Sequence, residues 1–341
     1  MFLDDASGGK RVISAAALCF TDQGQQAAER IGGLEIFRSG RDFTDARKKT
    51  EALFSGPDRV RLLVFFSAAG IAVRMLAPYI KDKMTDPAVI VVNDTAEYVI
   101  PILSGHAGMA NELALRLAET LGALPVITTA SDHRTAVDAP DLWAAREGYT
   151  VSDRNEVRKV TAAMLAGRPV ERFCCGEDVV WKTSDEGSGN ESLNVLMSPR
   201  KYVVGLGCRK GIDPLALKAF VKAKLAEAGI LEKDIFKICS IERKAGERAL
   251  VHLARDLNRP FVVFTAEQMN ALEGSFFSSD FVRNTTGTDN VCERSAIAGC
   301  GPAGGRLSVR RQAEEGMTFA LAERFLPVRN AWAGGIARLP E

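Results

Sequence analysis

The nine residues Leu103-Ser104-Gly105-His106-Ala107-Gly108-Met109-Ala110-Asn111 bring together an imidazole, a hydroxyl, a carboxamide and two glycines. An imidazole titrates near neutral pH, so His106 is the first choice for a general base or acid. Ser104, Asn111 and the backbone amides of Gly105 and Gly108 can donate hydrogen bonds to a carboxylate or to a developing oxyanion. The glycines let a backbone come close to a ligand. The same residues would also make an ordinary G-x-x-G turn carrying a solvated histidine. Two further stretches have a similar character: Ser67-Ala68-Ala69-Gly70, and Thr128-Thr129-Ala130-Ser131-Asp132. From them Ser67, Gly70, Thr128, Thr129 and Asp132 join the candidate ligand contacts, although Ser and Thr are also common in turns and caps.

These groups can act together only if strands and helices hold them. Residues 98–102 form a short apolar run before the histidine loop, and Leu113 and Leu117 follow it at helical spacing up to a stop at Gly122. Residues 12–20, 62–66, 88–92 and 125–127 read as further strands, with helices over 23–31 and 71–76, the latter carrying Arg74. Strand and helix alternate, which predicts a parallel, doubly wound sheet. The runs 88–92 and 98–102 are joined by the polar turn Asn93-Asp94-Thr95-Ala96-Glu97 and read as a hairpin. In open α/β sheets ligands bind outside the carboxyl ends of strands, and helix starts favour anions. The three loops are therefore expected to converge.

Residues 137–200 read as a connector, with a helix over 156–165, strands near 170–174 and 179–182, and a polar linker over 183–192. A second α/β unit opens at Lys201-Tyr202-Val203-Val204-Gly205-Leu206-Gly207-Cys208-Arg209-Lys210-Gly211. Asp213-Pro214 then caps a helix that Gly229 stops. Strands over 235–241 and 261–264, a helix over 245–257 and a capping box from Thr265 to Gln268 follow. The fold class is α/β: two three-layer units with largely parallel sheets, joined by a smaller α+β connector, with boundaries at 1–136, 137–200 and 201–341.

Several classes are excluded. Among 341 residues, 26% are charged with a formal net charge of +1, which gives no global field for nucleic acid. The longest uncharged apolar run lies between Arg61 and Arg74, too short to span a bilayer. Seven cysteines form no C-x-x-C pair and the three histidines are dispersed, so neither disulfides nor a metal site are expected, and the compartment reads as the cytoplasm. Gly299-Cys300-Gly301-Pro302-Ala303-Gly304 matches G-x-G-x-x-G but follows a helix and precedes a strand, the reverse of a dinucleotide fingerprint. Cys208 reads as a small buried residue ahead of a nucleophile.

Three segments in this order, Lys83-Met84-Thr85-Asp86-Pro87 with its following strand, the S-G-H-x-G-x-A-N loop, and Ile127-Thr128-Thr129-Ala130-Ser131-Asp132, resemble the N-terminal domain of the CbiG family, the cobalt-precorrin-5A hydrolases of anaerobic cobalamin biosynthesis. The Val204 to Gly211 turn, Ser240-Ile241-Glu242-Arg243-Lys244 and Gly316-Met317-Thr318-Phe319 resemble its C-terminal domain, which is similar to the CobE-type protein. The family usually shows glycine where Met109 stands, an Asp-Glu pair where Asn93-Asp94 stands, and Thr where Ser131 stands. The resemblance implies opening of the ring-A δ-lactone of cobalt-precorrin-5A with release of acetaldehyde. His106 and Ser104 are then the catalytic candidates. Arg74, Lys81 and Lys83, with Arg209, Lys210 and Lys244 from the second unit, are candidates for the substrate's carboxylates. No cofactor is required, because cobalt arrives within the substrate. The small corrinoid is the expected partner, with room for a homodimer and transient contact with neighbouring pathway enzymes; nucleic acid and membrane are not expected. A non-catalytic tetrapyrrole carrier and a phosphosugar-binding α/β enzyme are the competing readings of the same loops.

Overall fold

Residues 12–20, expected as one strand, are divided between two sheets. The computed structural model describes residues 1–40, 43–82, 85–105, 108–128, 139–183 and 193–326. Lys10–Val12 is strand β2, which pairs antiparallel with β15, Phe261–Phe264, while Ala15–Cys19 is β3 of another sheet. The chain accordingly groups into two units, Met1 with Ile13–Asp138, and Phe2–Val12 with Ala139–Glu341. The expected boundary at residue 1 thus assigned the first strands to the wrong sheet. Their partners lie some 250 residues away, beyond the reach of local pattern.

The first unit has a six-stranded sheet in the order β4-β3-β5-β6-β7-β8. β4 is Glu35–Arg38, β5 Leu62–Phe66, β6 Ala88–Val92, β7 Tyr98–Leu103 and β8 Leu124–Pro125. β3, β5 and β6 are apolar and buried throughout, as strands covered on both faces must be. Leu18, Phe65, Val89 and Val91 pack beneath α2, Thr44–Phe54, and α3, Ala69–Leu76, which contribute Leu53, Phe54, Met75 and Leu76. On other helices α1, Asp22–Ile31, buries Ala27 and Ala28, and α4, Ala110–Leu121, buries Leu113 and Leu117. Each large apolar side chain so buried contributes roughly 1.5–3 kcal/mol. Thr21 caps α1 by accepting a hydrogen bond from the Gly24 amide.

β6 and β7 form the expected hairpin and run antiparallel, with Val89 opposite Leu103 and Val92 opposite Val99. Asn93 fixes the turn, its Oδ1 accepting from the amides of Glu97 at 2.8 Å and Tyr98 at 2.7 Å. β8 is parallel to β7.

The second unit has a seven-stranded sheet in the order β1-β2-β15-β14-β13-β17-β16. β1 is Phe2–Asp4, β13 Tyr202–Cys208, β14 Ile235–Ile241, β16 Gly305–Glu314 and β17 Met317–Arg324. Only the central β15, β14 and β13 run parallel, so this sheet is mixed where a largely parallel one was expected. α7, Pro214–Glu227, and α8, Arg248–Asp256, bury Leu217, Phe220, Val221, Leu250 and Leu253 against one face. α11, Cys292–Gly299, packs on the other. It does so at glycines: a Cβ on Gly205 would lie 1.9 Å from the Cys292 carbonyl oxygen, and one on Gly299 would lie 2.4 Å from the Cys239 sulfur. The G-x-G-x-x-G sequence is the turn from α11 into β16, as its reversed context required.

The middle segment is a small α+β piece, as expected. Its antiparallel sheet has the order β10-β11-β12-β9, with β9 Tyr149–Val151, β10 Val170–Cys175, β11 Asp178–Thr183 and β12 Asn194–Pro199. Helices α5, Pro140–Glu147, and α6, Arg154–Leu165, accompany it. Arg324 of β17 fastens this segment to the large sheet. Its guanidinium donates to the carbonyls of Arg200, Glu147 and Gly148 and lies 3.9 Å from the ring centre of Phe236.

The N-terminal hairpin is anchored by an ion pair between Asp5 and Lys237 of β14, whose side chains are 12% and 6% exposed. Burial alone would raise the Asp5 pKa. The charge of Lys237 and hydrogen bonds from Lys237 and Ser7 outweigh it and hold the carboxyl below its ordinary value. A depressed carboxyl contributes stability that is present above its unfolded pKa of about 3.8 and is lost as pH falls through the folded value. Asp5→Asn leaves a buried ammonium without its counter-charge and should cost about 3 kcal/mol in urea unfolding at pH 7. The gap between mutant and wild type should close as the titration is repeated below pH 3.8. Equal stabilities at pH 7 would show that the pair does not hold the hairpin.

Candidate functional site

The loop after β7 begins with a turn that its own atoms fill. Ser104 adopts φ 55° and Met109 φ 67°, two non-glycine residues in the left-handed region. The Ser104 carbonyl accepts from the amides of Gly108 at 3.0 Å and Ala110 at 3.2 Å, and the Gly105 carbonyl accepts from Asn111 at 3.0 Å. The Ser104 hydroxyl donates to the Asp86 carbonyl at 3.0 Å. The Asp86 carboxylate in turn accepts from the amides of Lys81 at 2.8 Å and Asp82 at 3.0 Å. Thus the segment entering β6 and the loop leaving β7 are bonded into one structure at one end of the sheet. The glycines are small for that reason. A Cβ on Gly108 would sit 2.6 Å from Ser104 Cβ, and one on Gly105 would sit 2.9 Å from Asn111 Oδ1. Sequence reasoning gave the Gly108 amide and the Ser104 hydroxyl to a bound oxyanion; the amide donates within the loop and the hydroxyl to the Asp86 carbonyl instead. His106, Lys83, Thr129 and Asp132 lie outside the described residues.

The three loops do not converge. Because β7 is antiparallel to β6, Ser104 emerges beside the start of β6, while Ser67 leaves the far end of β5, where its amide donates to the Val92 carbonyl at 3.0 Å. About five residues of strand, or roughly 15 Å, separate the two ends. With Ser67 go Gly70 and Arg74, whose guanidinium folds back over Gly70, a Cβ there being 3.5 Å from Nη1. Asp94 is at that end too, bonded to the Thr21 hydroxyl. β8 runs with β7, so Thr128 is carried toward the Ser104 end. Ser104, Gly105, Gly108, Asn111 and Lys81 therefore share an end of the sheet that excludes Ser67, Gly70 and Arg74.

In the second unit the strand-end rule holds. β13 and β14 are parallel, and their carboxyl ends open on a cavity of about 1030 Å³. Arg209 and Lys210 follow β13, Arg243 and Lys244 follow β14, and Arg311 reaches the cavity from β16. The other side is formed by α10, Asp280–Thr286, with Phe281 and Val282. The three basic residues expected from the sequence are thus brought together with two that were missed.

Four carboxylates line the cavity, of which Glu314 lies 3.9 Å from Lys224 and Glu315 stands exposed at the β16–β17 turn. Glu247 accepts from Lys244 at 3.0 Å and from the Gly211 amide at 3.1 Å, and Asp289 accepts from Arg294 at 2.7 Å and Arg283 at 3.3 Å. Among the described residues, Arg209, Lys210, Arg243 and Arg311 have no carboxylate within ion-pair distance. Arg243 donates to the Thr285 carbonyl, and Arg311 lies 4.5 Å from the Phe277 ring centre. Burial pushes the Cys208 thiol up to about 11 despite the nearby charge of Lys244, and does the same to Cys292. Neither is a thiolate near neutral pH, so a cysteine nucleophile is not supported. No group of three His, Cys, Asp or Glu suited to a metal occurs among the described residues.

Family models described as Cobalamin synthesis G N-terminal and Cobalamin synthesis G C-terminus match residues 51–132 and 202–322. A Salmonella typhimurium protein named Cobalt-precorrin-5A hydrolase is 32% identical over 90% of this chain and 97% of its own. The chain belongs to the cobalamin synthesis G family. A Priestia megaterium protein of the same name is 29% identical over 83% of this chain and 88% of its own. Protein CobE of Sinorhizobium sp matches 33% of this chain and 75% of its own at 27% identity.

Within the cobalamin synthesis G family, glycine is the residue that the motif resemblance associates with position 109, and the left-handed φ of Met109 gives the physical reason. A side chain there costs about 1–2 kcal/mol, against about 0.5–1 kcal/mol for the extra freedom glycine gives the unfolded chain. Met109→Gly should therefore raise stability by about 0.5–1 kcal/mol in urea unfolding. A loss of stability would show that the Met109 side chain makes contacts worth more than its strain. Arg243 and Arg311 escaped sequence reasoning differently. Arg243 adjoins Lys244 and could have been read with it, whereas Arg311 is joined to the others only by the β16–β17 pairing.

Proposed function

We propose that the chain is a cobalt-precorrin-5A hydrolase, acting in the cytoplasm, that opens the ring-A lactone and releases acetaldehyde to give cobalt-precorrin-5B. The observation that carries this reading is the match, at 32% identity over 97% of its length, to the Salmonella hydrolase. All seven cysteines are unbridged, in keeping with a reducing compartment. In the first step a water oxygen bonds to the lactone carbonyl carbon while His106 takes its proton. The tetrahedral oxyanion then collapses, the ring C–O bond breaks, and a carboxylate and an alcohol result. In the second step the alcohol loses its proton and its oxygen forms the carbonyl of acetaldehyde. The carbon–carbon bond to the macrocycle breaks, and its electron pair enters the conjugated ring. The chain's part is to hold water and lactone against His106 and to accept and return protons.

The geometry supports a definite division of labour around that histidine. Asp86 and Ser104 shape the loop on either side of it in sequence, and Asn111 at the start of α4 braces Gly105. In the first unit Lys81 and Lys83 serve carboxylates; Arg209, Lys210 and Lys244 are carboxylate-binding residues of the second unit taken by itself. Ser67, Gly70 and Arg74, roughly 15 Å away along the strands, are left out of this chemistry.

Incubation with cobalt-precorrin-5A and enzymatic assay of acetaldehyde tests the reading directly. His106→Gln should slow single-turnover acetaldehyde release by about 100-fold with the fold intact by circular dichroism. A near wild-type rate would take His106 out of the mechanism. A carrier would hold the coloured substrate and release nothing. We also propose that no protein-bound metal takes part, because the histidines at 106, 133 and 252 are dispersed in the sequence. Turnover should survive exhaustive dialysis against EDTA; loss that added zinc restores would refute this.

A further inference from the structure

We propose that the cavity of the second unit is a binding site for the face of a flat polycarboxylate macrocycle, and that it selects ionised side chains over amidated ones. The proposal rests on the hydrolase reading for the identity of the ligand. The site itself is argued from charge, size and shape.

Charge comes first. Five cationic side chains, Arg209, Lys210, Arg243, Lys244 and Arg311, line one cavity. Four carboxylates share the lining with these five cations: Glu247 and Asp289 are held by Lys244, Gly211, Arg294 and Arg283, Glu314 lies 3.9 Å from Lys224 outside the cavity, and Glu315 stands exposed at the β16–β17 turn. Asp289 is kept below its ordinary pKa by the hydrogen bond from Arg294, so it is committed to that arginine at neutral pH. Four of the five cations consequently face the cavity without a carboxylate partner among the described residues. Like charges gathered in this way repel one another, and an anion relieves that repulsion. They are spread over the ends of β13 and β14 and along β16, which suits several separate carboxylates better than one compact anion.

Size and shape narrow the class. At about 1030 Å³ the cavity stands at the upper end of the range for small-molecule sites. Phe281, on α10 at the cavity, is 79% exposed and offers an uncovered aromatic ring to a ligand there. Ile241, Val291 and Met317 add apolar wall beneath it. An aromatic ring on a cavity lined by cations that lack ion-pair partners fits a conjugated ring with carboxylates at its edge.

The test titrates the full-length protein, followed by visible absorption, with two stable cobalt corrins. Cobyrinic acid carries its side chains as carboxylic acids, and cobinamide has the same ring with amidated side chains. Cobyrinic acid should bind about tenfold more tightly or better, with the preference shrinking as salt screens the charges. Arg209→Gln, exposed and unpaired and so safe for folding, and Arg311→Gln should each weaken cobyrinic acid about tenfold and cobinamide little. Phe281→Ala should weaken both probes alike. Arg158→Gln, an exposed cation on α6, should change neither.

Equal affinity for the two probes, or unchanged affinity in the Arg209 and Arg311 variants, overturns the proposal. So does displacement of cobyrinic acid by inorganic phosphate where chloride of equal ionic strength has no effect. Acetaldehyde release assayed on the same preparations keeps the two readings apart. Release without charge-selective binding removes the cavity site and leaves the hydrolase. Charge-selective binding without release leaves the cavity site and removes the hydrolase.

Discussion

A parallel strand must be reached by a crossover of a dozen or more residues, and only residues 93–97 separate β6 from β7. Five residues can make a turn and nothing longer, so β7 has to run back along β6. The Asn93 carboxamide, bonded to the amides of Glu97 and Tyr98, holds that reversal in place. Everything after it in the first unit inherits the new direction. The S-G-H loop leaves the sheet at the end where β6 begins, β8 follows β7, and the hydroxyl and glycine residues after β5 are left at the other end. What reads as one family of strand-end loops is two groups divided by the length of a strand.

The second unit meets a different constraint. Three parallel strands at the middle of a mixed sheet put the ends of β13 and β14 side by side, and the basic residues after each become neighbours by topology alone. The helix on the opposite face from α7 and α8 approaches so closely that only glycine fits at positions 205 and 299. That approach sets where residues 289–292 and the aromatic helix before them meet the cavity. Backbone proximity in the core thus decides which side chains surround the site, although the glycines themselves touch no ligand.

Much of this was legible in the sequence where the cause is local. Thr21, Asp213 and Thr265 cap helices as their types suggest, with Gln268 closing the box, and the buried strands 62–66 and 88–92 are unbroken apolar runs. The hairpin was also legible, and it already contradicted the convergence of the loops, because a hairpin fixes the end at which its second strand finishes. Gly105 and Gly108 were identified as positions needing smallness, but the space they leave is taken by Asn111 and Ser104 of the same loop. Phe281 and Arg311 could not be found, since a lone exposed phenylalanine and one arginine in a basic strand acquire meaning only when distant segments meet.

The strands Phe2–Asp4 and Lys10–Val12 belong to a sheet whose accepting edge, β15, comes some 250 residues later. During synthesis at roughly 5–20 residues per second, these first strands wait for about 12–50 seconds before their partner exists. Throughout that interval β2 has only β1 to pair with, and until the hairpin docks, β15 is an open edge able to take up another strand. The two units are thus interleaved along the chain. No single cut between residues 13 and 201 yields two complete sheets, and residues 139–341 expressed without the first strands would carry that open edge permanently.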